Sequence, residues 1–403
     1  MSYYLQPASV SSKARQLAFA QNKFGFALLQ QLSQQEHQAA TLFLSPFSVA
    51  VALSILLDGT AGTAHTALAA TLGVAGWEDE VIRQALVDQL WFFALDADGN
   101  AALHVANSFW TSLTFPIAPA FVAHVWEQYQ AKAASLDMVS PAAADLINKW
   151  VSQQTAGLIT HMVEATQLTG PPPVAAMLLS TVYFKGLWES PFQETNTRSD
   201  AFQLFDGDWV PRAMMQQTSS LFSYQQGENW VAVRLPYEGS RAMHMNLFVP
   251  DTATGLPDLL ASLTTEKWQA WQEDFTTAAF TVDVNLTMPR FEVAYTKELV
   301  DILDTLGLGP ARAPQADFTP MGFLPVEGGF IGSVRHKAYL KVDEEGTEAA
   351  AVTAIMVMQG AGIPQPKPTV EVRVERPFLC AITDAATGVI LFAGAIYDPT
   401  PIR

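Results

Sequence analysis

The chain has 403 residues, of which 49% are hydrophobic and 15% charged, so it can bury a large core. Its net charge of −17 excludes nucleic acid and anionic membrane as natural partners on electrostatic grounds. The longest uncharged apolar run, Phe47 to Leu57, falls short of the ~18 residues a membrane span needs, and a single cysteine, Cys380, excludes an internal disulfide framework and fits a reducing compartment.

Met1-Ser-Tyr-Tyr-Leu-Gln-Pro7 has no basic end followed by an apolar run, so no secretory signal and a cytoplasmic location are expected. Helical patterns fill the first third. Apolar residues recur at helical spacing from Ala14 to Leu32. Ser45-Pro46 predicts a second helix, with the Ser45 hydroxyl as cap and Pro46 in the first turn; Gly59 and Gly62 are read as its end. Glu78 to Leu95, Ile117 to Tyr129 and Asp145 to Leu158 follow, the last capped by Asp145 in this reading.

Strand patterns then take over. Ala175 to Phe184 is apolar almost throughout, the mark of a strand buried on both faces. Asn229 to Leu235 and Met243 to Val249 read as a pair, and Phe280 to Pro289 alternates at period two. Val370 to Val374, Phe378 to Thr383 and Val389 to Ala395 close the chain, the last two joined by the hairpin signal Asp384-Ala-Ala-Thr-Gly388. Pro171-Pro-Pro173 reads as a rigid turn, and no linker or repeat divides the chain. Helices first, sheets later and no linker predict one α+β unit spanning residues 1–403.

The stretch from Asp343 to Ala354 fits neither a pure loop nor a pure strand. Gly346 is a hinge, followed by small residues that suit either. From Gly346 to Ile363 there is no proline, so every amide can join a β-ladder; Pro364 is the first to close that option. In a strand, Thr347, Ala349, Ala351, Thr353 and Ile355 would share one face, all small or apolar. Glu348, the only charge, would lie opposite with Ala350, Val352 and Ala354, a face expected to be exposed. Dual fitness of this kind points to stored conformational energy rather than to an active site. Enzyme signatures are missing: the sequence has no HExxH, no phosphate-binding glycine loop ending in Lys-Ser/Thr and no G-x-S-x-G elbow. The histidines lack ligand spacing, so no metal or cofactor is called for.

Several blocks in order resemble the serpin family. They are Ser45-Pro-Phe-Ser-Val-Ala50, Ala106-Asn-Ser-Phe-Trp110, Ile147-Asn-Lys-Trp-Val151, Val182-Tyr-Phe-Lys-Gly-Leu-Trp188, Leu235-Pro-Tyr237 and Met288-Pro-Arg-Phe291. Ala316-Asp-Phe318, His336-Lys-Ala338, Arg376-Pro-Phe-Leu379 and Leu391-Phe-Ala-Gly394 complete the series. The resemblance implies a fold of three β-sheets and eight or nine helices, with an exposed reactive loop over about 344–368. It implies a monomeric inhibitor without enzyme activity of its own: a serine protease cleaves the loop and is acylated, and the loop then inserts into the main sheet before deacylation.

It also assigns roles to residues. Glu345, Gly346, Thr347, Glu348, Ala349, Ala350, Ala351, Val352 and Thr353 become the hinge. Counting from Gly346 places the reactive bond at Gly360-Ala361, with Met358-Gln359 as the next candidate. No Arg or Lys lies between Gly346 and Gln365, which argues against a trypsin-like partner and for an elastase-like or subtilisin-like one, with chymotrypsin-like enzymes next. Trp188 is assigned to the top of the main sheet, and Ser45, Ser48, Ser180 and His336 to a polar cluster controlling its opening. The family usually has asparagine where this chain has Ser180, which shortens the polar reach there. Arg83 is nearly the only basic residue from Glu78 to Ala106, so a heparin activator is not expected. The alternative is a non-inhibitory binding, chaperone or storage protein of the same fold, and Cys380 is read as inert core.

Overall fold

The computed structural model describes residues 10–36, 39–94, 101–170, 174–239, 243–322, 331–347 and 367–400. Helices dominate early because their caps and apolar stripes are strong. Ser12–Gln35 is capped by Ser11, and Pro46–Asp58 by Ser45, whose hydroxyl accepts from the Ser48 amide. Two boundaries differ from the sequence reading. Gly62, at φ +59°, opens a further helix, Gly62–Thr71, while Gly59 alone ends the one before. Asp145 lies inside helix Pro141–Gln154, whose cap is Ser140 with Pro141 behind it. That is the same Ser-Pro start as at Ser45, and a turn earlier than the acidic residue suggested. Asp79–Ala94 and Pro119–Tyr129 complete this group.

The strands form three sheets. A six-stranded sheet runs in the order Leu42–Leu44, Ile390–Ile396, Phe378–Asp384, Met243–Pro250, Trp230–Pro236, Ser223–Gln226. Its two C-terminal strands are the predicted hairpin, paired Phe378 with Ile396 and Cys380 with Gly394. A four-stranded sheet holds Thr369–Arg373, Asp283–Pro289, Trp209–Ser219 and Arg198–Gln203. The strand read from Phe280 begins only at Asp283.

The main sheet has the order Phe291–Glu298, Ile331–Val342, Gly346–Thr347, Ala176–Leu187, Ala101–Ser112, Lys132–Leu136. Ala101–Ser112 breaks the pattern of helices first, because a central strand of this sheet comes from the first third of the chain. Ala176–Leu187 is buried over its first nine residues, as its unrelieved apolar run requires. One face of the main sheet covers helix Pro46–Asp58 and the largest core, where Phe47, Val182, Phe184, Val334, Ala338 and Leu340 meet. The other face carries helix Pro141–Gln154, packed through Ile147 and Val151 on Trp110, Met177 and Leu179. Where the helix packs, both faces of the main sheet are therefore covered.

Candidate functional site: a seam in the main sheet

Strands Ile331–Val342 and Ala176–Leu187 run parallel and pair directly from Ile331/Ala176 to Tyr339/Tyr183. Beyond that level they separate. Gly346 and Thr347 fill the gap as a two-residue strand, antiparallel to both. Thr347 pairs with Val342 on one side and Gly186 on the other, and Gly346 pairs with Leu187. The tip of the hinge predicted from sequence thus sits inside the sheet.

Glycine is required at 346 by crowding. A Cβ there would lie 2.1 Å from the Gly186 carbonyl oxygen and 2.8 Å from Leu187 Cα. Thr347 is fully buried, and its hydroxyl meets the Tyr237 hydroxyl at 2.7 Å. Burial holds the Tyr237 phenol well above its ordinary range. Trp188 stacks on Tyr237 at 4.6 Å. Its indole Nε1 donates to the Asp343 carbonyl and its amide to the Glu345 carbonyl, both at 2.9 Å.

The approach to the hinge is held as firmly. The Asp343 carboxylate accepts from the amides of Glu345 and Gly346, and its own amide donates to the Gly346 carbonyl. Glu344 is buried, accepts from the Thr197 hydroxyl at 2.6 Å and lies 3.7 Å from Arg290. Glu345 is half-buried, its carboxyl raised above the ordinary range by burial and then by the neighbouring Asp343 and Glu194. Asp343, Glu344 and Tyr237 stand in stretches quoted from sequence but were given no role there; only pairing geometry shows what they hold.

Below the gap the seam crosses the polar cluster. Ser45, Ser48, Ser180 and His336 do converge and are all buried. His336 Nε2 accepts from the Ser45 amide at 3.0 Å, so Nδ1 carries the proton and donates to the Ser180 carbonyl at 3.1 Å. Ser180 Oγ donates to Ser48 Oγ at 2.8 Å, and Ser48 Oγ to Asn107 Oδ1 at 3.1 Å. Asn107 closes the network by donating to the Ser48 carbonyl. Asn107 is the cross-strand neighbour of Ser180. The amide missing at Ser180 is therefore supplied from the adjacent strand, a residue the sequence reading quoted but did not place in the cluster. Complete burial lowers the His336 pKa to about 4, so the ring is neutral.

The other calls fall elsewhere. Glu348, Ala349, Ala350, Ala351, Val352, Thr353 and the bond Gly360-Ala361 lie outside the described residues, as does Pro171 to Pro173. Arg83 is engaged with Asp58 and Glu80. Cys380 is buried in the strand Phe378–Asp384, its thiol pushed up by burial, which leaves it unreactive. Among the described residues no helix is long and apolar enough to cross a membrane, and no cluster of His, Cys, Asp and Glu could hold a metal ion.

Residues 19–399 match the family model described as "Serpin (serine protease inhibitor)". The chain is 30% identical to Serpin-Z7 of Hordeum vulgare over 392 residues, covering 94% of this chain and 95% of the relative. It is 30% identical to the leukocyte elastase inhibitor of Sus scrofa over 396 residues, covering 95% and 100%. Among solved structures it is similar in fold to human glycosylated kallistatin, with TM-score 0.84, 24% identity and coverage of 97% and 100%. It is likewise similar to AtSerpin1 of Arabidopsis in the native stressed conformation, with TM-score 0.79, 24% identity and coverage of 96% and 98%.

Proposed function

This chain belongs to the serpin family, and on that premise we propose that it is an inhibitory member, a single domain that traps an elastase-like or subtilisin-like serine protease as an acyl complex. The observation that carries the proposal is the seating of Gly346 and Thr347 between two strands that part to admit them. That pair fixes a register. Continued along both neighbours, it would set Ala349 between Leu340 and Phe184, Ala351 between Ala338 and Val182, Thr353 between His336 and Ser180, and Ile355 between Val334 and Leu178. Those neighbours all face the buried side of the sheet. The small and apolar face of the hinge thus matches the face that must be buried, and Thr353 brings a hydroxyl to the one polar level.

Insertion would add a ladder of backbone hydrogen bonds and bury the small and apolar face of the hinge. The intact form is then a kinetically trapped state. The uncharged sequence around Gly360 supports a protease with a small or apolar pocket, and the lone buried cysteine supports a reducing compartment.

The test is incubation with elastase, subtilisin, chymotrypsin and trypsin, followed by denaturing gels and thermal melts. An SDS-stable complex should form with elastase or subtilisin and not with trypsin, and the released fragment should begin at Ala361. Nicked protein should melt higher than intact protein, although a chain break alone would gain an ordinary loop nothing. Clean cleavage by every apolar-pocket enzyme, without adduct or gain in melting temperature, would leave the non-inhibitory reading as the better one.

A further inference from the structure

Helix Thr265–Ala278 ends in a turn whose geometry and sequence disagree. Ala279 stands at φ −55° and ψ 133°, Phe280 at φ +63°, and the Thr281 amide donates to the Ala278 carbonyl at 3.3 Å. These are the marks of a type II turn. Its third position needs a positive φ and therefore calls for glycine or asparagine. This chain has phenylalanine there.

Nothing inside the molecule offsets that choice. Phe280 is 58% exposed, belongs to neither core and, among the described residues, stacks on no other ring. Gln130 shows what compensation looks like. It takes the same left-handed conformation after helix Pro119–Tyr129, at φ +52°, and its Nε2 donates to the Trp126 carbonyl at 2.9 Å. Phe280 has no polar group to do likewise. Single exposed apolar residues are ordinary on any surface, but one held at a glycine position is disfavoured twice, by strain and by exposure.

The place of the turn in the fold says what covers the ring. The Thr281 hydroxyl also donates to the Ala278 carbonyl, at 2.7 Å, so the turn is fixed to its helix. Three residues past Phe280, Asp283 opens a strand of the four-stranded sheet. It pairs in parallel with Thr369 and donates its amide to the Pro368 carbonyl at 2.9 Å. Pro368 and Thr369 are where the chain rejoins the body after the proposed reactive bond. Phe280 lies within about 11 Å of Asp283, because a chain spans at most ~3.6 Å per residue. Eight residues separate Gly360 from Pro368, a reach of at most about 28 Å. A protease of ~220 residues has a radius of gyration of about 17 Å, so it is broader than that reach. An enzyme closed on the loop stands against this turn.

We infer that Phe280 is a docking residue for the target protease, its ring meeting the rim of the enzyme on the primed side of the cleft. This rests on the reading of the chain as a protease inhibitor, and it adds a determinant of specificity outside the loop. A buried aromatic ring is the kind of side chain that dominates interface energetics, and one fixed in a rigid turn loses little freedom on binding.

The probes are elastase and subtilisin, and the informative variant is Phe280→Gly, because glycine suits the turn. It should melt no lower than wild type. Its second-order rate of complex formation with elastase or subtilisin should fall about tenfold or more, since that rate carries the affinity of the first, non-covalent complex. Phe280→Trp should keep most of the rate. The fraction of cleavage events that end in complex should not change, because it is decided after acylation and away from the turn. Equal rates for wild type and Phe280→Gly with both enzymes would overturn the docking role and leave the inhibitor standing. A wild type that elutes as a dimer beside a monomeric Phe280→Gly would also overturn it, since a second copy would then cover the ring. No complex with either enzyme, and no gain in melting temperature on nicking, would bring down both readings together.

Discussion

The seam between Ile331–Val342 and Ala176–Leu187 is closed in two ways along its length. At its lower end, from Ile331 to Tyr339, the strands hydrogen-bond directly, with His336 and Ser180 joined through a buried polar network. At its upper end the direct ladder is absent, and the strands are held apart by Gly346 and Thr347 under the stacked rings of Trp188 and Tyr237. The difference teaches that any widening of this seam would have to break the ladder and the polar cluster below the hinge, while the upper end already holds two residues between its strands.

Arginine at Thr347 attacks the upper end hardest. Thr347→Arg would place an unpartnered guanidinium where the side chain is fully buried, at a cost of roughly 3–5 kcal/mol. Insertion should slow while deacylation does not, so cleavage rises and complex falls on a denaturing gel. An unchanged complex yield would show that the upper end is not where insertion begins.

The lower end is sensitive to acid through His336. Its folded pKa of about 4 lies below the unfolded value near 6.5, so between them the unfolded chain binds a proton that the fold refuses. Stability is complete above about pH 6.5 and is lost as pH falls toward 4, by about 3 kcal/mol. Urea unfolding of wild type and His336→Gln at pH 7 and 4.5 checks this. The variant should be flatter across that window, and parallel curves would remove His336 from the account.

Two smaller changes sharpen the upper end. Gly346→Ala puts a methyl group into the Gly186 backbone and should cost about 1–3 kcal/mol, read as a lower melting temperature with altered Trp188 fluorescence. Tyr237→Phe removes one hydroxyl contact with Thr347 and should cost about 1 kcal/mol in the intact form. Equal losses from these two would mean that backbone fit matters no more than a side-chain contact.

The period-two hinge and the block around Val182 to Trp188 were legible because each is a local pattern, and local patterns survive in one dimension. The order of strands was not. Nothing in Ala101 to Ser112 states that it lies between Ala176–Leu187 and Lys132–Leu136, since pairing partners are chosen by the whole core. The polar cluster shows the same limit. Four of its members were identified from sequence, and the substitution at Ser180 looked like a gap. Asn107 fills that gap from 73 positions away in the chain, and only register brings it opposite. Ser140 as a helix cap was within reach, since it repeats the Ser-Pro start at Ser45; the acidic residue five positions later competed for the same role.

The register fixed by Thr347 also sets the ionic surroundings of an inserted strand. Carried one residue on, it puts Glu348 between Lys341 and Lys185, on the outer face where water reaches. Lys341 already holds Asp343 at 3.1 Å, so an inserted Glu348 would join a cross-strand row of alternating sign. Added salt would weaken that row and leave the apolar levels below it almost unaffected. Ionic strength would thus act on the first residue to follow the seated pair Gly346 and Thr347 and hardly on the rest.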